Sequence, residues 1–180
     1  TPGAKIPGVI AALVVFGFSP LRFYRFQKAM SARTHGQLIV ADRYPQAEIP
    51  GWCDGPGLSA ASTDNRFINW LARVEKRLYE HMAAVHPTVI IFLDVDIRTA
   101  LSRKPDHDPA LLATKIEKNR KLHFGGTPME RVDARQDYTT VRRSVLNIVR
   151  RHLHRHETQQ NTRERQRAMH PSGDLHQIAT

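Results

Sequence analysis

Two short runs of unbroken apolar residues constrain this chain more than anything else in it. Leu38-Ile39-Val40-Ala41, entered from Gln37, ends in Asp42-Arg43-Tyr44-Pro45, and Val89-Ile90-Ile91-Phe92-Leu93 ends in Asp94-Val95-Asp96. A strand with one wet face alternates apolar and polar residues, whereas a run that is apolar throughout belongs to a strand covered on both faces. Helical patterns alternate with these runs. Ser19-Pro20 reads as a helix start, Gly36 as its stop, and Phe23, Phe26 and Met30 recur between them at helical spacing. A second helix is predicted over about 64–84, with Phe67, Trp70, Leu71, Val74, Leu78 and Met82 on its apolar face.

Further along, Ala100 to Lys104 reads as a short helix closed by Pro105. Asp108-Pro109 opens another helix that carries Leu112, Ile116 and Leu122. Residues 130–134 predict a short strand, and a last helix runs from Asp137 to about Leu153 through Tyr138, Val141, Val145 and Val149. Alternating strands and helices with doubly apolar strands predict an α/β fold: a three-layer parallel sheet with helices on both faces. In such sheets ligands bind beyond the C-terminal strand ends, where Asp42 and Asp94 both fall. Residues 46–62, rich in Gly and Pro, predict a loop.

Composition bounds the rest. At 180 residues and 41% hydrophobic, the chain is long enough for one domain with a real core. The domain is expected over 1–151. Residues 152–180, polar and His/Arg-rich, are expected to form a disordered tail. His152, His154 and His156 alternate there, but a polar tail accounts for them better than a metal site, and no metal-ligating residue is assigned. The single cysteine, Cys53, precludes an intrachain disulfide and fits a cytoplasmic setting. The apolar run from Val9 to Phe18 is shorter than the roughly 20 residues a membrane helix needs, so it is read as core and no membrane partner is expected. A net charge of +10 favours anionic partners, whether nucleotides, nucleic acid or acidic membranes, and fits a plain basic surface equally well.

The string Ile39-Val40-Ala41-Asp42-Arg43-Tyr44-Pro45 resembles the strand-end Asp-Arg motif of thymidylate kinases and related nucleotide kinases. Three later stretches agree with that family in order and spacing. Leu93-Asp94-Val95 with Ala100 and Arg103 is similar to its fourth strand and the helix into its mobile lid. Lys115 to Leu122, with Asn119-Arg120, is similar to the lid's returning helix. Val132-Asp133-Ala134-Arg135-Gln136 with Val141 is similar to its last strand and turn. The resemblance covers about residues 20–150 and points to a divergent branch of the P-loop kinase type, represented by its C-terminal portion.

The resemblance implies ATP-dependent phosphorylation of a nucleoside monophosphate, dTMP by family expectation, with ATP and Mg²⁺ as cofactors and a homodimer as a compatible state. Phosphoryl transfer needs positioned charge more than covalent chemistry. Asp42 would then orient the acceptor or a Mg²⁺-bound water, and Arg43, with Tyr44 beside it, would grip the acceptor phosphate with its planar fork. From the residues alone, a turn-capping Asp42 and a surface-paired Arg43 are equally good readings. Arg103 and Lys104 would bring lid cations to the transferring group, or simply close a helix dipole. Asp54 and Gly55, in the loop Asp54-Gly55-Pro56-Gly57, would line the acceptor pocket, or form an unliganded turn. Arg135 and Gln136 would border the ATP base. Asp108 has a sufficient task as a helix cap.

One element is missing. Such kinases cradle the donor phosphates in Gly-x-x-x-x-Gly-Lys-Ser/Thr, and this sequence contains no such string; Gly51 and Gly55 have the spacing but Pro56-Gly57 follow. The fold is therefore expected to be incomplete at the N-terminus, the chain alone inactive and marginally stable, and the kinase function a property of a longer parent. A non-catalytic phosphate-binding module is the alternative. A nucleic-acid-binding role is weaker, because no nucleic-acid motif is present and Trp70 fits a core face.

Overall fold

The computed structural model describes residues 8–60 and 63–169. They fold as α1 (Val9–Thr34), a 3-10 turn (Leu58–Ala60), α2 (Arg66–Ala83), β1 (Ile90–Asp94), α3 (Ile97–Arg103), α4 (Pro109–Arg120), a second 3-10 turn (Phe124–Gly126), β2 (Met129–Asp133) and α5 (Tyr138–Met169). The fold is α/β, with a two-stranded parallel sheet among the described residues. The chain divides into two units. One takes the residues up to Pro87 together with Val95–Thr127; the other takes Thr88–Asp94 with the residues from Pro128 onward.

The larger unit is built on α1 against α2. On α1, Ala12, Phe16, Ser19, Phe23, Phe26 and Met30 alternate at three and four residues, which keeps one stripe facing its partner. On α2 the buried stripe is Ile68, Leu71, Glu75, Tyr79 and Met82. This corrects the apolar face expected from the sequence. Phe67 and Trp70 are about half exposed and stack on each other at 5.9 Å, while a glutamate takes a core position. Asn65 caps α2 by accepting from the amides of Phe67 and Ile68 at 2.9 and 3.2 Å.

Glu75 is 1% exposed. Its carboxylate accepts from Ser19 Oγ at 2.8 Å and from the Leu58 amide at 2.7 Å, which joins α1, α2 and the first 3-10 turn at one point. Ser19 is thus a core donor rather than a helix cap. The helix does not begin at Ser19-Pro20 but runs through it from Val9, with Pro20 inside. Pro20 has no N–H to give the Phe16 carbonyl, a local loss that the packing of both flanking turns outweighs. The expected stop does hold: Gly36 adopts φ 79°, and the Gly36 and Gln37 amides return to Arg33 and Ala32 carbonyls at 3.0 and 3.2 Å.

Two expectations about burial are overturned. Residues 37–41 form no strand, and Val40 is 83% exposed. The Val9–Phe18 run is helix with much of its apolar surface open: Ile10 is 81% exposed, and Val14 and Phe18 are also exposed. A strand needs a hydrogen-bonding neighbour, and among the described residues none lies beside 37–41. By length and composition α1 could cross a bilayer, a test that core helices and signal sequences also pass.

In the smaller unit, β1 and β2 pair in parallel from Ile90 beside Met129 to Asp94 beside Asp133. The Ala134 amide extends the ladder onto the Asp94 carbonyl at 2.8 Å. α5 packs on β2, with Val132, Ala134 and Ile148 buried. Arg131 lies over the Phe92 ring at 4.9 Å, and His152 meets Glu130 at 3.2 Å. α5 runs on past residue 151 to Met169 through sequence free of Gly and Pro; the remainder of the expected tail, 170–180, lies outside the described residues.

Replacing Glu75 with alanine strands the Ser19 hydroxyl and the Leu58 amide in the core. The expected loss is about 3 kcal/mol of unfolding free energy, measured by urea denaturation, with Glu80→Ala on the exposed face of α2 close to neutral.

Candidate functional site: an arginine-carboxylate cluster

The chain leaving α1 turns at Arg43, which adopts the left-handed φ of 68°. The loop that follows is shaped from within by Gln46, whose side chain is buried. Its amide nitrogen donates to the Ile49 and Trp52 carbonyls at 2.9 and 2.7 Å, and its oxygen accepts from the Ile49 amide at 2.8 Å. Cys53 and Asp54 then take left-handed φ values of 50° and 61° in succession. Gly55 comes next, where a Cβ would stand 2.4 Å from Gln46 Nε2 and 2.5 Å from the Ile49 carbonyl oxygen. No side chain fits there. Three non-glycine residues in this region of backbone space represent stored conformational strain, a cost usually found where a loop's shape matters.

That shape presents Asp54 between two arginines. Arg22 on α1 meets its Oδ1 at 2.9 Å and also donates to Tyr79 Oη at 3.2 Å. Arg43 Nε approaches Oδ2 at 3.7 Å. The Asp54 side chain is 12% exposed and that of Arg43 69%, so Asp54 is a sunken anchor and the outer arginine keeps most of its fork in solvent. Burial alone would lower the Arg22 pKa, but the fields of Tyr79 and Asp54 outweigh it and hold the guanidinium above its usual value. Burial chiefly, then Asp54, raises the Cys53 thiol, while Lys115, Arg43 and Lys118 oppose it. The loop thus carries a partly buried carboxylate paired to Arg22, with the exposed Arg43 guanidinium beside it.

The expected site residues are only partly gathered here. Arg43, Asp54 and Gly55 lie in this loop. Tyr44 precedes it but gives its hydroxyl to the Val85 carbonyl and its ring edge to Phe26, with burial raising its pKa. Asp42 is exposed at the turn. Arg103 closes α3 and Lys104 caps it, in the helix pair α3–α4. Arg135 and Gln136 belong to the smaller unit, where Arg135 forks onto both carboxylate oxygens of Asp133 at 2.8 Å. Asp108 caps α4 by accepting from the Leu111 amide at 2.9 Å, as its position before Pro109 implies. The described residues contain no group of three potential metal ligands. Sequence reading missed Arg22 and Tyr79 as members of this cluster. Helical periodicity places Arg22 beside Phe23 and Phe26 but carries no sign that it meets a loop 32 residues on.

Asp54→Ala should cost about 2 kcal/mol in urea unfolding, because it leaves Arg22 without its carboxylate. In the smaller unit, the hydrogen bonds from Arg135 hold Asp133 at about 2, below its ordinary 3.8. The pair therefore persists as pH falls from neutral and is lost only near that lowered value. Arg135→Ala should return the Asp133 titration toward 3.8, read by carboxyl-carbon NMR.

No protein-family model matches this sequence. No solved structure matches it either. The chain is similar to two proteins of Escherichia coli strain K12. It is 41% identical over 138 residues to the one named uncharacterized ATP-binding protein YghR, a match covering 76% of this chain and 55% of that protein. It is 38% identical over 144 residues to the one named uncharacterized ATP-binding protein YghS, covering 79% of this chain and 61% of that protein. The matched segment thus spans little more than half the length of either relative, both of which carry ATP binding in their names.

Proposed function

We propose that this chain is the acceptor-side part of an ATP-dependent phosphotransferase that acts on a nucleoside monophosphate. The observation that carries the reading is Arg43, held with most of its guanidinium in solvent over a partly buried, doubly paired Asp54. A planar cation so placed suits the oxygens of a phosphate monoester. The names of the two relatives supply the nucleotide, ATP, and the order of the Asp-Arg, lid and last-strand stretches supplies the kinase reading with dTMP as the expected acceptor. Mg²⁺ belongs to the same reading as the partner of ATP phosphates.

In this reading the loop that cradles the donor phosphates lies in the part of the relatives' length that this match does not cover. Two surfaces support that arrangement. The apolar 37–41 segment has no strand beside it among the described residues, and α1 turns a second apolar face to solvent through Ile10, Val14 and Phe18. Both patterns suit a further strand and its layer.

The test is a phosphoryl-transfer assay with ATP, Mg²⁺ and dTMP on a protein comprising this sequence and the rest of the relatives' length. Arg43→Ala should lower kcat/KM by about a hundredfold, and the present chain alone should show no transfer. Full activity in the Arg43 variant would remove the basis of the reading.

A further inference from the structure

Away from the loop, the outer side of α2 has a chemistry of its own. Its buried stripe, Ile68, Leu71, Glu75, Tyr79 and Met82, serves the core. The opposite side carries Arg66, Trp70, Arg73 and Arg77, spaced at four, three and four residues and all exposed. That spacing sets them in one line along the helix. Phe67 lies beside this line and stacks on Trp70, with ring centroids 5.9 Å apart and planes 22° apart. The two residues are 45% and 50% exposed, so each ring steadies the other while much of their surface stays in solvent.

The arginines are not there to pair with acids along their own helix. None of the three has an aspartate or glutamate four residues away. Among the described residues no carboxylate forms an ion pair with them: Glu75 is buried, and Glu80 is engaged by Lys76 at 3.7 Å. The case against nucleic acid rested on Trp70 as a core residue, and the structure turns Trp70 outward into a row of guanidinium groups.

We infer that this face of α2 binds single-stranded nucleic acid, with a base stacked on the Phe67 and Trp70 pair and the strand's phosphates along Arg66, Arg73 and Arg77. Every unpaired base offers a flat face to an aromatic ring, and arginines follow the backbone without regard to sequence. From Arg66 to Arg77 the helix rises about 17 Å, room for a few nucleotides. A second copy of the chain suits this face less well, because a two-fold contact would set the arginine row against itself. A membrane also suits it less well, because the apolar side of α2 is spent on the core and only two rings are left to insert. The inference stands apart from the acceptor-side reading, since Arg43 and its loop take no part in it.

The experiment uses the 180-residue chain and follows fluorescence anisotropy of a labelled oligodeoxyadenylate of about 12 nucleotides, made without a terminal phosphate. Phe67→Ala with Trp70→Ala should weaken binding by about tenfold or more, and Trp70→Phe should keep most of the affinity. In the parent chain log affinity should fall against log salt with a slope of about −2, and changing Arg66, Arg73 and Arg77 together to Gln should flatten that slope. Trp52→Phe leaves Trp70 as the single indole, whose fluorescence the oligonucleotide should quench. Excess dTMP should not displace the strand, and the matching duplex should bind more weakly. Circular dichroism and the urea midpoint establish that each variant is folded. Absence of oligonucleotide binding by the parent chain overturns the inference, as does undiminished binding by the double alanine variant. Displacement by dTMP would move the strand to the acceptor site and overturn it too. Equal weakening by Arg142→Gln with Arg143→Gln, exposed on α5, would show attraction by net charge alone. Binding to phosphatidylserine vesicles, or self-association lost on Trp70→Ala, without oligonucleotide binding would assign the face to those partners instead.

Discussion

The larger unit depends on a carboxylate in its core. Glu75 sits where α1, α2 and the first 3-10 turn meet, and it accepts from a hydroxyl of one and an amide of another. A buried ionisable group without partners is costly, so the helices are held at the one register that brings both donors to it. Apolar stripes on α1 and α2 could slide by a turn at modest cost; a carboxylate needing Ser19 and Leu58 together cannot. One helical turn further on, Tyr79 meets Arg22, and Arg22 meets Asp54. The register fixed by Glu75 is therefore the register that delivers Arg22 to the loop.

From there the loop passes the constraint outward. Gln46 braces it from inside, Gly55 admits the close approach, and Asp54 in its left-handed conformation points a carboxylate inward at Arg22 while leaving its other oxygen toward Arg43. An exposed arginine alone loses much side-chain freedom on binding an anion. Here a weak second contact biases Arg43 toward one place without consuming its donors. The result is an exposed cation positioned by a partly buried network it barely enters.

Some of this was legible beforehand. The Asp108 helix start follows a local rule, because a cap is satisfied within three residues of itself, and the Asn65 and Asp96 caps, which were not singled out, obey the same rule. Gly36 ends α1 for an equally local reason. The 90–94 strand was visible as an apolar run and the 129–133 strand as a short one over 130–134, and they pair. The 37–41 segment carries an equally strong signal and yet forms no strand, because pairing is a property of two segments and composition describes only one. Of the site, Arg43, Asp54 and Gly55 were picked out; Arg22 and Tyr79 were not.

The sequence by itself determined the stop of α1 at Gly36 and the start of α4 at Asp108, that the fold is α/β, and that an Asp-Arg pair closes an apolar run ahead of a Gly-rich loop. Those features depend on neighbours a few residues apart, whose geometry the backbone dictates. Only the tertiary structure decided that Ser19 is a core donor rather than a cap, that a glutamate and not Phe67 or Trp70 faces inward on α2, and that Asp54 anchors two arginines. Each of these joins residues distant in the chain, such as Ser19 with Glu75 or Arg22 with Asp54. A buried charge is stable only when such distant partners arrive together, and no local pattern records which partners those are.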